Sequence, residues 1–518
     1  MKIEAPTGGI NARDNIDNMP LTDALEMINM VPEAGYVRSR KGSVTYIDDM
    51  GGDRYSIHTL ATLQADGTEY MLAAQYNDAD NGVLWDVTTS TPASLKTGLA
   101  NQMQFNFIQF AERLILCNGA DTPQVWDGSS STTDLVATLK DSDGVVVVGK
   151  TQDDLWGVTS HHGRAFYWCQ NEQRFFYADV AGAYQGDLIE FDLSRVVKRG
   201  GTLVNILSQS MDTGSGLNDL AVFVFSTGEC VVYEGNDPAG VNTWGLANRF
   251  NIGEPVNIRC TCEFGGDNLI VTSEGLVSIR EVMQAGRIIT AQETTTNKIV
   301  NKVVRAYRRS LNRGAGWDMH YSSSKGLIVI NYKEGAGNFI QLVMNVNNGK
   351  WCEYHGLIAA HWADYKNDLY FGGGGSFPNV VKAETGTSDN GDYIPMECIT
   401  AFSDLGIHDM KVVTRVTMMT NYLRNLTVNI MEDNARRPTY PTPNPDEPFP
   451  SIWDVGVWDR DTWDSSPEDA GIYTKPRSHH YPSSGKGYTL AIKLQLLSRA
   501  QEFVWYFSKY LIKGAKDK

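Results

Sequence analysis

The residues with chemistry to offer are scattered. Seven cysteines stand at 117, 169, 230, 260, 262, 352 and 398. The number is odd, no Cys-x-x-Cys occurs, and most lie inside apolar runs (LILCN, FYWCQ, GECVVY). That is the pattern of buried free thiols in a reducing compartment. Cys260 and Cys262 share a face if they lie on a strand, but no His or Cys pair at ligand spacing joins them, so no zinc site is expected. His161-His162 and His479-His480 lack acidic or Cys partners at ligand spacing and read as turn residues. GGGG at 372–375 is followed by neither a helix nor a P-loop lysine, which argues against a phosphate cradle. The run NDADNG at 77–82 lacks the register and terminal Glu of a Ca²⁺ loop. With no GxSxG, HExxH or local Cys/His signature, no catalytic residue, cofactor or metal is expected.

Three other groups are candidates for contact rather than catalysis. From Asn297 to Arg313, apolar Ile299, Val300, Val303, Val304, Tyr307 and Leu311 recur at helical spacing. Lys298, Lys302, Arg305, Arg308, Arg309 and Arg313 supply six cations, and no acid interrupts them. This helix 297–313 either docks on its own core with a solvated basic back or is a strut between subunits of an assembly. The N-terminal stretch, with Asn11, Arg13 and Asp14, reads as an extended assembly arm. A short helix is expected after Asp23, whose side chain can cap it while Glu26 reaches back. Pro32 ends that helix. Finally, Trp453, Trp458 and Trp463 each precede an Asp in a Pro/Trp-rich loop, 434–475, expected to project and meet a partner.

The elements that position these groups are strands. The chain has 518 residues, 49 of them Gly, and short β-rich runs such as YMLAAQY, LAVFVF and LIVINY are bounded by Gly, Asn, Asp or Ser. Trp85-Asp86 and Trp126-Asp127 close units 41 residues apart. Ser-x-Gly turns at Gly228, Gly275 and Gly326 follow at intervals of 47 and 51. Four short strands per unit of about 40–50 residues indicate an all-β fold, a β-propeller of six or seven blades, with a pair of stacked β-sandwiches as the alternative. The expected domains are an arm with its short helix (1–50), a propeller body with the inserted basic helix (51–391) and a C-terminal β-domain (392–518). A net charge of −16 disfavours a grip on nucleic-acid phosphates. No apolar run is long enough for a membrane span, and no signal peptide is expected at the N-terminus.

Several segments resemble a family of short-tailed phage proteins called tail nozzle, tail hub or packaged-DNA stabilisation proteins. They are Gly9-Ile10-Asn11-x-Arg13-Asp14, Pro32-x-x-Gly35-x-Val37-x-x-Arg40-x-Gly42, Arg249-Phe250 through Gly253 and Pro255, Met344-Asn345 through Gly349-x-Trp351, and Trp362 through Gly372. The resemblance spans roughly residues 9–395 and does not include the Pro/Trp-rich loop. It implies a virion protein, assembled in the host cytoplasm. Rings in that family, usually of six subunits, make this chain an expected homo-oligomer whose channel retains and ejects DNA without specific binding. The implied partners are a tail adaptor, fibre or tip proteins and, distally, the host envelope. An acidic wall suits that role, because it repels phosphate. A carbohydrate-binding or carbohydrate-active propeller is the alternative, with the three tryptophans as sugar platforms.

Overall fold

Apolar runs separated by turn residues fold back on themselves into hairpins along most of the chain. The computed structural model describes residues 1–50, 55–76, 81–100, 102–212, 217–240, 242–285, 298–309, 316–334, 338–375, 377–421, 426–433, 477–481, 485–499 and 502–514. Five hairpins use two-residue loops with both residues at positive φ: Asp66-Gly67, Ala111-Glu112, His162-Gly163, Gly265-Gly266 and Lys366-Asn367. Such loops match the twist of the strands that they join.

These hairpins open successive sheets. Blade 1 is Ile57–Ala65, Thr68–Tyr76, Gly82–Asp86 and Ala93–Leu99. Blade 2 is Asn106–Phe110, Arg113–Cys117, Gln124–Trp126 and Thr133–Asp134. Blade 3 is Leu155–His161, Arg164–Cys169, Arg174–Ala178 and Gly186–Asp192, with Ala137–Lys140 added in parallel at its outer edge. Blade 4 is Leu203–Asp212, Leu217–Phe225, Glu229–Gly235 and Trp244–Asn251. Blade 5 has only Thr261–Phe264, Asp267–Thr272 and Gly275–Ser278. Blade 6 is Asp318–Ser322, Leu327–Glu334, Asn338–Asn345 and Lys350–His355. Blade 7 is Ala359–Tyr365, Asp368–Gly373 and Val380–Ala383, closed by Ser43–Ile47 from the N-terminal region. Six four-stranded blades and the three-stranded blade 5 thus make a β-propeller. Separate apolar clusters fill the gaps between neighbouring blades, for example Leu72, Leu114 and Trp126 between blades 1 and 2. Phe175, Phe223 and Trp244 do the same between blades 3 and 4.

Trp85 and Trp126 both lie at the far ends of third strands, Trp85 next to last and Trp126 last, which explains their spacing. The Ser-x-Gly turns are not equivalent. Gly228 and Gly275 join second to third strands, whereas Gly326 joins a first to a second.

The outer edge of blade 6 does not stop. Its sheet continues through Ala24–Ile28, Ile394–Thr400, Leu490–Ser498 and Leu426–Glu432. A second sheet, built around Lys411–Thr420 and Val504–Gly514, shares this core through Met27, Val31, Met396, Val416, Leu494 and Trp505. The C-terminal β-domain is therefore grown onto the propeller through one sheet.

Two expectations are corrected. The helix after Asp23 is a strand, Ala24–Ile28, paired with Ile394–Thr400 and touching Lys350–His355. Pairing on both sides overrides a local helical preference. The arm is also not free. Lys2–Glu4 pairs with Val504–Gly514, and Met30–Pro32 and Val37–Ser39 extend the same sheet. Asn29, at φ 55° and fully buried, donates to His355 O and Pro395 O and accepts from Arg40 Nε and His355 N. Arg40, 2% exposed, forms a two-toothed ion pair with Asp389 at 2.5 and 3.0 Å.

Two helices interrupt the strands. α1 (Ile279–Ala285) was not anticipated, although Ser278-x-x-Glu281 is a capping-box pattern; Ser278 Oγ accepts from Glu281 N at 3.0 Å. α2 (Val300–Arg309) lies within the expected basic helix, whose ends at Asn297 and Arg313 fall outside the described residues.

Deleting residues 1–42 should therefore abolish the cooperative melting of the body rather than leave it intact. Differential scanning calorimetry checks this. A sharp transition at the full-length temperature would mean that the arm is dispensable for folding.

Candidate functional site

The first strands of all seven sheets enclose a central cavity of about 430 Å³, contacted by Leu60, Asn106, Thr159, Asn205, Thr261, His320 and His361. Its defining residue is Arg259, which precedes blade 5. The guanidinium reaches the opposite side of the ring, donating to His58 O at 2.6 Å, Thr59 Oγ1 at 2.5 Å and Phe105 O at 2.9 Å. Thr59 Oγ1 in turn donates to Met103 O and accepts from Phe105 N. Burial pulls the Arg259 guanidinium down to about 10, with Asp318 opposing. This side chain bridges blade 5 to blade 1 and to the segment entering blade 2.

Two imidazole–carboxylate pairs lie beside it. His361 Nδ1 accepts from Leu60 N at 3.2 Å, which leaves Nε2–H facing Asp318 Oδ1 at 3.6 Å. His320 Nε2 lies 3.6 Å from Asp364 Oδ1, and Ser322 Oγ donates to that same oxygen at 2.7 Å. Ser322 thus points to a carboxylate rather than to a histidine base, and the arrangement activates no nucleophile through it. Burial raises Asp318 to about 6. Burial, then the charges of Arg259 and His320, hold His361 well below the ordinary histidine value. Among the described residues no group of three or more His, Cys, Asp or Glu could hold a metal ion.

The basic helix and the arm meet at a second polar cluster. Lys298 Nζ donates to both carboxylate oxygens of fully buried Asp23 at 2.8 Å, and Asn11 Nδ2 donates to Asp23 Oδ2 at 2.8 Å. Asn11 Oδ1 accepts from the backbone of Arg13 and Asp14, and Arg13 Nε pairs with Asp14 at 2.7 Å. Arg13 and then Asn11 hold the Asp14 carboxyl below its usual range. Gly8 is required here: a Cβ would meet Asp23 Oδ1 at 2.0 Å. Further along α2, Lys302 pairs with Glu353 at 2.5 Å and Arg309 with Glu334 at 3.1 Å. Burial raises Glu353, and His355 and Lys302 more than offset it, so the carboxyl ends below its usual value.

The six cations expected to act together therefore divide. Lys298, Lys302 and Arg309 are spent on acids of their own chain. Arg305 and Arg308 are exposed and have no ion pair among the described residues. Arg313, Trp453, Trp458 and Trp463 lie outside the described residues. Sequence reasoning missed Arg259, Asp318 and His361, which have no local signature; Asp23 was noticed, but as a helix cap. The cysteines are free, and burial raises the thiols at 117, 169, 230, 260, 262, 352 and 398.

No protein-family model matches the chain, and no curated protein matches it. Among solved structures, the WD40 β-propeller domain of Doa1 is similar at 10% identity over 68% of this chain and 97% of that one, with a TM-score of 0.38. BBS1N in complex with ARL6DN is similar at 9% identity over 68% and 99%, with a TM-score of 0.38. BamB from Moraxella catarrhalis is similar at 10% identity over 68% and 93%, with a TM-score of 0.32.

Two outcomes follow. Lys298→Met strands a buried carboxylate and should cost about 3 kcal/mol of stability, whereas Arg305→Ala and Arg308→Ala should leave denaturant midpoints unchanged.

The second concerns pH. His361, His58 (about 4) and His161 (about 4) are held neutral chiefly by burial, so their contributions are present above pH 6.5 and lost as pH falls. Asp318 acts in the opposite sense: its contribution is present below the ordinary Asp value and lost as pH rises through about 6. Asp318→Asn should therefore steepen the loss of melting temperature between pH 6 and pH 4. An unchanged slope would show that Asp318 is not held in the raised state.

Proposed function

We propose that this chain is a structural virion protein, a subunit of a ring-shaped phage tail nozzle. Six copies would surround the channel through which DNA is retained and ejected. The observation that carries this reading is a convergence. Three of the segments that resemble the nozzle family, 9–14, 32–42 and 344–351, are separated by some 300 residues in sequence, yet they meet at one junction. Ile10 N donates to Trp351 O at 2.9 Å, and a Cβ on Gly9 would lie 2.7 Å from that same oxygen. Asn345 Nδ2 donates to Pro32 O at 3.1 Å. Beside that junction, Arg40 and Gly42 pack against residues outside the resembling segments: Arg40 pairs with Asp389, and a Cβ on Gly42 would lie 2.0 Å from Ser388 O. Residues that pack as one unit give the scattered pattern a physical reason to occur together.

Arg259 adds to this. It bridges the bore of the propeller, so a DNA path in this reading runs between copies and not through a single propeller. The acidic balance of −16 supports a wall that phosphate slides past. The adaptor above, fibre or tip proteins below and the host envelope are the partners of this reading. The exposed large apolar side chains among the described residues include no tryptophan. The tryptophans of the carbohydrate reading lie outside the described residues.

Sedimentation velocity and negative-stain microscopy test this proposal. Six copies of 57.3 kDa give a ring of about 340 kDa. It should form alone or on addition of the adaptor, and weaken as salt rises toward 1 M, where the screening length shrinks to about 3 Å. A persistent monomer that cleaves polysaccharide would overturn the nozzle reading.

A further inference from the structure

Blade 3 carries an extra hairpin beyond its four antiparallel strands. After Ala137–Lys140 the chain turns at Asp141, whose Oδ1 accepts from Asp143 N and Val145 N at 2.9 and 2.8 Å, and runs back alongside. Lys140 bridges Val146, and Val147 N donates to Leu139 O at 2.9 Å. Leu139 and Val147 face the blade 2–blade 3 core. The residues between and beside them face outward: Val145 is 60% exposed, Val146 55% and Val148 96%. Val136 and Val180, also on blade 3, are 70% and 65% exposed. Five of the twelve exposed large apolar side chains among the described residues are thus valines of blade 3, four of them (Val136, Val145, Val146 and Val148) on or beside the added edge strand and its return. Exposed apolar residues gathered in one place mark an interaction surface.

The same region is strongly acidic. Between Asp121 and Asp192 there are twelve carboxylates against Lys140, Lys150, Arg164 and Arg174, a net of −8 and half of the whole chain's −16. Asp143 is exposed at the tip of the hairpin and has no ion pair among the described residues. The matching surface is on α2. Between Lys298 and Arg309 the helix segment has five cations and no acid, and Arg305 and Arg308 remain exposed and uncommitted among the described residues. Long arginine stems cover apolar surface while their heads reach a carboxylate. That suits a ridge of valines flanked by Asp143.

We propose that the blade 3 hairpin, 140–148, docks on the Arg305–Arg308 face of α2 in a second copy of this chain. The two surfaces lie on different flanks of the propeller. The contact is therefore heterologous, head to tail, and repeats into a closed ring or an open filament. This inference rests on the ring reading above and names the two surfaces that would build it.

Charge swapping and cross-linking test it in the full chain. Asp143→Arg and Val148→Asp should each raise the protein concentration at half-assembly by about tenfold or more, as does loss of a central interface contact. Arg305→Glu with Arg308→Glu should do the same, and combining that pair with Asp143→Arg should restore assembly. A mixture of Val148→Cys and Arg308→Cys proteins should give a bismaleimide-linked dimer of the two; the resident thiols, buried or nearly so, give the untreated background. Circular dichroism melts should be unchanged for all, since the altered side chains are exposed. Rings that form normally with Asp143→Arg and Val148→Asp would overturn the hairpin's role while leaving the ring reading standing. A wild-type chain that stays at 57.3 kDa with and without the adaptor would overturn both.

Discussion

A guanidinium taken out of water must be answered in full, and Arg40 shows how much structure that requirement can organise. Its partners are Asn29, Asp389 and the carbonyls of Lys41 and His355. Asn29 holds blade 6 and the C-terminal domain together through His355 and Pro395. Asp389 lies just beyond blade 7 and also accepts from Ser43, the first residue of the strand that closes the ring. Removing one member of such a buried pair typically costs 3–5 kcal/mol, because the survivor keeps its charge and loses its answer. Propeller closure and domain attachment thus depend on one polar knot, and the N-terminal segment supplies most of it.

That knot explains which parts of the fold were legible. Runs such as LAVFVF and LIVINY declare themselves as strands, because burial on both faces leaves continuous apolar sequence. The turns between them are marked by Gly, Asn and Asp. The basic helix was legible because Val300 and Val303 recur at helical spacing. DALEMI was not, because its residues tolerate a helix and only partners hundreds of positions away make it a strand. Asp23 illustrates the difference: a carboxylate at a cap position in sequence is, in the fold, the buried acceptor of Lys298. The central cavity was illegible for the same reason. Arg259, Asp318 and His361 come from different blades, and no local pattern links them.

Charge is sorted rather than spread. Cations near the arm are consumed inside the chain at Asp23, Glu353 and Glu334, where they hold α2 against blade 6 and the N-terminal strands. Among the twelve acids between Asp121 and Asp192, Asp134, Asp154, Glu172, Asp187 and Glu190 pair with Lys or Arg, and the other seven have no ion pair among the described residues. A body whose internal pairs are satisfied, and whose residual charges have opposite sign on separate flanks, is stiff in itself and polar as a building block. Stiffness follows from the shared sheet, since blade 6 and the C-terminal domain cannot hinge without breaking Ala24–Ile28 away from Ile394–Thr400.

The closing strand also sets a schedule for synthesis. Ser43–Ile47 leaves the ribosome early, yet its partner Val380–Ala383 is made more than 330 residues later. At about 5–20 residues per second, the growing chain spends tens of seconds with its ring open. During that time the early strand has no edge to join, and blade 1 has no neighbour on the side where blade 7 will pack. An open edge of this kind invites pairing with another nascent chain. Dense polysomes are therefore the setting in which this protein is most exposed to exchanging its closing strand with a neighbour.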